Sequence, residues 1–229
     1  MDLAASRGGA ILELAAGSGR LAVPLAAAGH HVTAVDNDSA MLDRARAAWA
    51  RAKHGVGSLT LVDHDLTTLN LGTRFDLVIL ALNSLLLLDG RAAQERALRV
   101  MRAHLAPGGR AVVDVWLPAE DDLELYDGRQ VLDWIRTDPG TKERVAKTTS
   151  ARYEDATGTA VLTTTYDVDR EDGSARIATR RDTITFIRAA EFLALARDAG
   201  LEPESVLGDY AGTPWSEASE RVVLIGRPG

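Results

Sequence analysis

Residues 12–22, LELAAGSGRLA, decide the fold. An apolar strand runs into the small residues Ala15, Ala16, Gly17, Ser18 and Gly19, and these run into a helix-like segment. Bulk is missing where something must come close to the backbone. Glu13 stands at the end of the strand, where a purely structural strand would prefer valine. Both features point to a ligand at a strand-to-helix turn.

The surrounding sequence repeats the strand–helix alternation. AILELAA (10–16) is a strand and RLAVPLAAAG (20–29) a helix, with Pro24 tolerable near its first turn and Gly29 as its stop. HVTAVD (31–36) is a second strand. Asp38 or Ser39 can cap the next helix, where Met41, Ala45, Ala48 and Trp49 share a face. SLTLVDHD (58–65) and FDLVILAL (75–82) are strands three and four, the latter continuously apolar as a strand covered on both faces should be. Residues 91–105 form a helix with Ala97, Val100, Met101 and Leu105 inward, and PGG turns the chain into a fifth strand, 110–116. Such alternation implies a doubly wound, mostly parallel sheet, with its ligand crevice at the carboxyl ends of the strands. Glu13, Asp36, Asp65 and Asn83 all fall at or just past those ends.

The second half changes character. Between Gln130 and Arg188, four segments rich in Val, Ile, Thr and Tyr alternate, with turn signals at DATGT (155–159) and REDGS (170–174). Three or four antiparallel strands inserted after the fifth strand are expected, preceded by an acidic connector, 117–129. A helix (189–200) closed by Gly200 and an antiparallel strand pair finish the chain. The fold class is therefore α/β: a Rossmann-like sheet with an inserted antiparallel β layer and a C-terminal antiparallel strand pair.

Composition narrows the function classes. The chain has 229 residues, 46% hydrophobic and 26% charged, with a net charge of -7 and no cysteine. A net acidic surface argues against nucleic acid as a partner, because that binding rests on neutralising phosphates. Thiolate nucleophiles, disulfides and Cys-ligated zinc are excluded. No H-x-x-x-H or H-x-H spacing occurs, so no metal is expected. The longest apolar run, Leu77 to Leu88, is too short for a bilayer and holds Asn83 and Ser84. No signal-peptide pattern opens the sequence, so a cytoplasmic location without a membrane partner is expected.

The glycine pattern alone leaves two ligand classes open. Gly17, Gly19 and Ala22 also fit the G-x-G-x-x-G/A of dinucleotide sites, and Asp36 suits a ribose in either case. Glu13 separates them. A carboxylate before the turn repels a pyrophosphate but welcomes a cationic ligand. S-adenosylmethionine carries an ammonium and a sulfonium and no phosphate. Asp36 could accept from both ribose hydroxyls, and Asp65 from the adenine amine with Leu66 against the ring.

LELAAGSGR, AVDNDSAML, DHDL and FDLVILALNSL, in this order and spacing, resemble the class I S-adenosylmethionine-dependent methyltransferases, most of all their bacterial small-molecule branch. The resemblance covers residues 10–116 well and 185–227 moderately. It implies that Glu13 lies near the amino-acid end of the cofactor, that Gly17 and Gly19 turn beneath it, that Asp36 binds the ribose and that Asp65 binds adenine. Ala15, Ser18, Arg20, Asn37, Met41 and Leu66 go with these positions, and Leu82 and Asn83 border the methyl group. Ala15 departs from the pattern, which usually has glycine there. Family members also carry a longer segment over the active site, whereas nine residues precede the first strand here, so substrate is expected to be covered differently or by a segment outside this sequence.

The activity implied is methyl transfer to a small-molecule acceptor. Asn83 is the candidate for substrate orientation, with a capped turn as the competing reading, and His64 is the candidate base, with a surface histidine as the competing reading. No His–Asp pair is evidently placed to activate a hydroxyl, so N-methylation is slightly favoured over O-methylation. Asn83-Ser84 is not the Asn/Asp-Pro-Pro-aromatic signature of enzymes that methylate nucleic-acid amines. Rival readings are a catalytically silent cofactor-binding scaffold and, further off, a nicotinamide-dependent oxidoreductase. Residues 1–116 are assigned to the cofactor-binding core and 117–188 to the inserted segment, as substrate cover or homodimer contact, since an open antiparallel layer needs its edges managed. Residues 189–229 complete the core sheet. Trp116 is the best candidate among the aromatic residues for lining a substrate cavity.

Overall fold

The computed structural model describes residues 9–53, 55–170 and 173–229. Most of the N-terminal stretch and the middle of the REDGS turn, Glu171 and Asp172, lie outside them. The chain forms two compact units. Among the described residues, the first comprises those within 9–86, 90–117 and 187–229, and the second those within 87–89 and 118–186.

The first unit is built on a seven-stranded sheet. Its strands are β1 (Ala10–Leu14), β2 (His31–Asp36), β3 (Ser58–Asp63), β4 (Phe75–Leu80), β5 (Leu105–Trp116), β10 (Leu201–Leu207) and β11 (Arg221–Pro228). The spatial order is β10-β11-β5-β4-β1-β2-β3. The pairs from β5 across to β3 are parallel, and β11 lies antiparallel between β5 and β10. β1 and β4 carry unbroken apolar runs because both faces are covered, and Leu12, Val78 and Leu80 are fully buried. Each such side chain contributes about 1.5–3 kcal/mol by leaving water. Helices α1 (Ala22–Ala27) and α2 (Ser39–Arg51) pack together over β2 and β3. Helix α3 (Gly90–His104) packs on β4 and β5 and against α5 (Ala189–Asp198), which covers β10.

The second unit is a four-stranded antiparallel meander, β6 (Asp127–Thr137), β7 (Arg144–Glu154), β8 (Thr159–Asp169) and β9 (Ala175–Thr185). Its threonines and valines suit a half-buried pleated surface. Both edges are blunted. A register shift between Leu132 and Trp134 breaks β6, and Arg176, Arg180 and Arg181 stud β9. One face joins Trp134 to Tyr166, with ring centroids 6.3 Å apart, beside an ion pair between Asp133 and Lys147 at 2.7 Å.

Several boundaries differ from the sequence reading. β1 stops at Leu14 because Ala15 is left-handed, and β4 stops at Leu80 because Leu82 and Asn83 are left-handed. The expected turn at PGG is an irregularity inside β5, where pairing jumps from Phe75–Leu105 to Leu77–Arg110. The connector contains a short helix, α4 (Glu120–Glu124), in which Asp122 accepts the Ala119 amide at 2.9 Å. On α2 the buried residues are Leu42 and Ala45, whereas Met41, Ala48 and Trp49 are only half-buried.

Candidate active site

The glycine turn is fastened to the end of β2. Ala15, Gly17 and Gly19 have φ of 53°, 54° and 78°. The Ala16 amide donates to the Val35 carbonyl at 3.0 Å, and the Gly17 amide donates to Asp36 Oδ2 at 2.7 Å. Asp36 Oδ1 accepts from the Asp38 amide at 2.9 Å. Each oxygen of a carboxylate has two lone pairs, so Asp36 keeps capacity for two ribose hydroxyls. The chain's own carboxylate thus occupies a backbone donor that a phosphate would need. That observation speaks against the dinucleotide alternative.

The two glycines of the turn differ in what surrounds them. A Cβ on Gly19 would come within 2.9 Å of Val23 and 3.1 Å of Ala45, so this glycine lets the turn pack against both helices. A Cβ on Gly17 would meet nothing within 4 Å. The space over Gly17 is therefore available to a ligand lying on the backbone.

Glu13 is only 4% exposed, on β1 between β4 and β2 in the middle of the sheet. It accepts the Ala22 amide at the start of α1, and its Oε2 is buried without a hydrogen-bond partner. Burial pushes its carboxyl up to about 7, against the Ala22 hydrogen bond and the charge of Arg20, while Asp36 adds to the rise. An orphaned acid of this kind fits a cationic donor. The ammonium of S-adenosylmethionine would satisfy Oε2 and restore the charge, while Asp36 would take the ribose and the open space over Gly17 would take the body of the cofactor.

Asp65 and Leu66 are the residues expected on the adenine side, and Met41 is a further expected cofactor residue. Asp65 Oδ1 accepts from the Thr67 amide and hydroxyl, both at 2.8 Å, which holds its carboxyl below the usual carboxylate range. Leu66 is buried and Met41 half-buried, whereas Ser18, Arg20 and Asn37 are exposed. His64 is exposed, and its Nδ1 lies 2.8 Å from the Asp65 carbonyl. It follows β3, and Asn83 follows β4, three strand spacings away in the sheet. At about 4.8 Å per spacing the two candidates stand roughly 14 Å apart, so they do not act on one atom.

At the β4 rim, Asn83 Oδ1 accepts the Trp116 amide at 2.7 Å, and the Leu82 amide donates to Asp114 Oδ1 at 2.7 Å. The structure thus brings Glu13, Asp36, Asp65, Leu82 and Asn83 to one rim of the parallel sheet. Asp114 was not anticipated. Its signal is an acid inside the apolar strand AVVDVW, the same irregularity that marks Glu13 in AILEL. Among the described residues no cluster of three His, Asp or Glu side chains could hold a metal, and no helix is long and apolar enough to cross a membrane.

Residues 11–109 match the family described as a methyltransferase domain. The chain is 29% identical over 218 residues to a cypemycin N-terminal methyltransferase from Streptomyces sp, spanning 95% of this chain and 82% of that protein. An S-adenosylmethionine-bound amino pentose methyltransferase from Micromonospora echinaspora superposes with a TM-score of 0.71 at 23% identity, covering 99% of this chain and 86% of its own. A sugar N-methyltransferase from Streptoalloteichus sp gives 0.76 at 23% identity, covering 99% and 83%. The two structural likenesses share the fold described above.

Proposed function

We propose that this chain, an S-adenosylmethionine-dependent methyltransferase, delivers its methyl group to an amine nitrogen of a small-molecule acceptor. The cofactor, when bound, supplies an electrophilic methyl on a sulfonium. The chain's own residues supply grip and alignment. Glu13 holds the ammonium end, the Gly17 turn lies under the cofactor, Asp36 holds the ribose and Asp65 holds the adenine amine. Leu82 and Asn83 border the reacting centre, with Asn83 orienting the acceptor.

The orphaned, buried Glu13 oxygen carries the cofactor part of this reading. The preference for nitrogen rests on two supports. A neutral amine can lose its proton after transfer and so needs no strong base, and the candidate imidazole, His64, stands three strands from Asn83. The relative from Streptomyces sp bears the name of an N-terminal methyltransferase, and one structural neighbour that of a sugar N-methyltransferase.

The test is a screen with isotopically labelled cofactor against amino sugars, peptides with a free N-terminus and the hydroxyl analogue of each. Label on the amines but not on the hydroxyl partners is expected. Label on the hydroxyls alone would refute the nitrogen preference, and cofactor binding without any transfer would favour the silent-scaffold reading. Asn83→Ala should slow transfer with cofactor affinity little changed, and an unchanged rate removes its proposed role.

A further inference from the structure

Leu82 and Asn83 both have φ of 62°. Two successive left-handed residues without a glycine are costly, about 1–2 kcal/mol each, and a branched, bulky leucine in that region is a genuine outlier. Such a conformation persists only where its surroundings over-determine it. Three ties do so here. Ser84 Oγ donates to the Ala81 carbonyl at 2.7 Å, the Trp116 amide donates to Asn83 Oδ1, and the Leu82 amide donates to Asp114 Oδ1.

The third tie has an unusual backing. Asp114 is 1% exposed and sits within β5, where an apolar residue would cost nothing to bury. Its second oxygen, Oδ2, accepts from the Tyr210 hydroxyl at 2.8 Å and from Arg221 Nη1 at 3.3 Å. Arg221 also donates to the Tyr210 oxygen at 2.6 Å and lies over its ring, 4.6 Å from the centroid. Burial, followed by the hydrogen bond to Asp114 and its charge, pushes the Tyr210 phenol up to about 12, so it stays a donor. Tyr210 is carried by the connection from β10 to β11, which Asp209 shapes by accepting the Ala211, Gly212 and Thr213 amides at 2.9–3.0 Å. Arg20, on the glycine turn, acts electrostatically on both Tyr210 and Glu13.

We infer that Asp114, Tyr210 and Arg221 are positioning residues that hold the strained Leu82–Asn83 turn ready for methyl transfer. The inference rests on the methyltransferase reading. The bracket links the β10–β11 connection to the rim beside the methyl group. Tyr210 and Arg221 hold and aim the Asp114 carboxylate, and the carboxylate holds the Leu82 amide. Loosening it should let the turn relax and spoil alignment, leaving the cofactor grip of Glu13 and Asp36 in place.

Tyr210→Phe is the decisive variant, because it keeps the ring under Arg221 and removes only the hydroxyl. Three quantities are read on the full chain: the amide shift and hydrogen exchange of Leu82 by NMR, cofactor affinity by calorimetry, and kcat and KM with the acceptor found by the screen. The expected result is an upfield move of the Leu82 amide with exchange faster by roughly tenfold, and a kcat lower by roughly tenfold, in the range of one lost hydrogen bond to a charged group. Cofactor affinity should stay within about twofold. Asp114→Asn, whose amide oxygen can still accept from Leu82, should keep more activity than Asp114→Ala. An unmoved Leu82 amide in Tyr210→Phe overturns the bracket, as does a kcat that does not change. If the wild-type chain methylates nothing in the screen, the proposed function falls, while the Leu82 amide still decides whether the bracket holds the turn. If Asp114→Ala does not fold, Tyr210→Phe and Asp114→Asn carry the decision.

Discussion

At the scale of single residues, Glu13 has the largest consequences. Its ordinary carboxyl value of 4.5 rises to about 7 in the fold. Between these values the folded free protein keeps a proton that the unfolded chain releases. Stability from this group therefore falls as pH climbs from 4.5 to 7, and above pH 7 the buried charge costs ~3 kcal/mol. Glu13→Gln should accordingly raise the melting temperature of the free protein at pH 8 and leave it nearly unchanged at pH 4. On the proposed pairing of Glu13 with the cofactor's ammonium, cofactor binding has the opposite sign, because that pairing needs the ionised acid. Affinity should strengthen by roughly tenfold from pH 6 to pH 8 with proton release, and calorimetry of Glu13→Gln should show weaker binding without that slope. Ala15 offers a second test. Its φ of 53° is a conformation that glycine adopts more readily than alanine. Ala15→Gly relieves about 1–2 kcal/mol of left-handed strain against about 0.5–1 kcal/mol of added unfolded-state entropy. A net gain of up to ~1.5 kcal/mol in denaturant unfolding is expected, and a loss would contradict it.

At the scale of elements, the strand-to-helix turn separates a packing role from a binding role. Gly19→Ala drives a methyl into Val23 and Ala45 at φ 78° and should destabilise the fold by about 2–4 kcal/mol. Gly17→Ala meets open space, so its cost is mainly the left-handed backbone, about 1–2 kcal/mol. Its larger effect should be on cofactor affinity, since the methyl enters the space assigned to the ligand. Measured together by unfolding and calorimetry, the two variants should differ in kind, and equal losses of stability would remove the distinction. β4 shows a similar division of labour. Its apolar run forms the strand, and its end is set by Asp114 and Trp116 on the neighbouring strand.

At the scale of the whole molecule, every residue assigned to the cofactor, from Glu13 to Leu82, belongs to the first unit. Saturation at about 100 times Kd should stabilise that unit by ~2.7 kcal/mol. Hydrogen exchange with and without cofactor should slow at β1, β2 and the β4 rim and leave β6–β9 unchanged, whereas equal protection of the meander would show that it takes part in cofactor binding. Much of this was legible in the chain itself. Alternating apolar segments specify the parallel sheet because strand and helix periods are local properties, and the gathering of Glu13, Gly17, Gly19, Asp36 and Asp65 at one rim follows because each lies at or just past the end of a parallel strand. The conformation of Leu82–Asn83 was not legible, nor was the pairing of Asp114 with Tyr210 and Arg221. A left-handed leucine contradicts its own local preference, and the partners that hold it there are 96 and 107 residues from Asp114 along the chain. Local sequence determines where strands and turns begin, but a buried carboxylate finds its partners only when the sheet has closed, because only then do distant side chains replace the water it has lost.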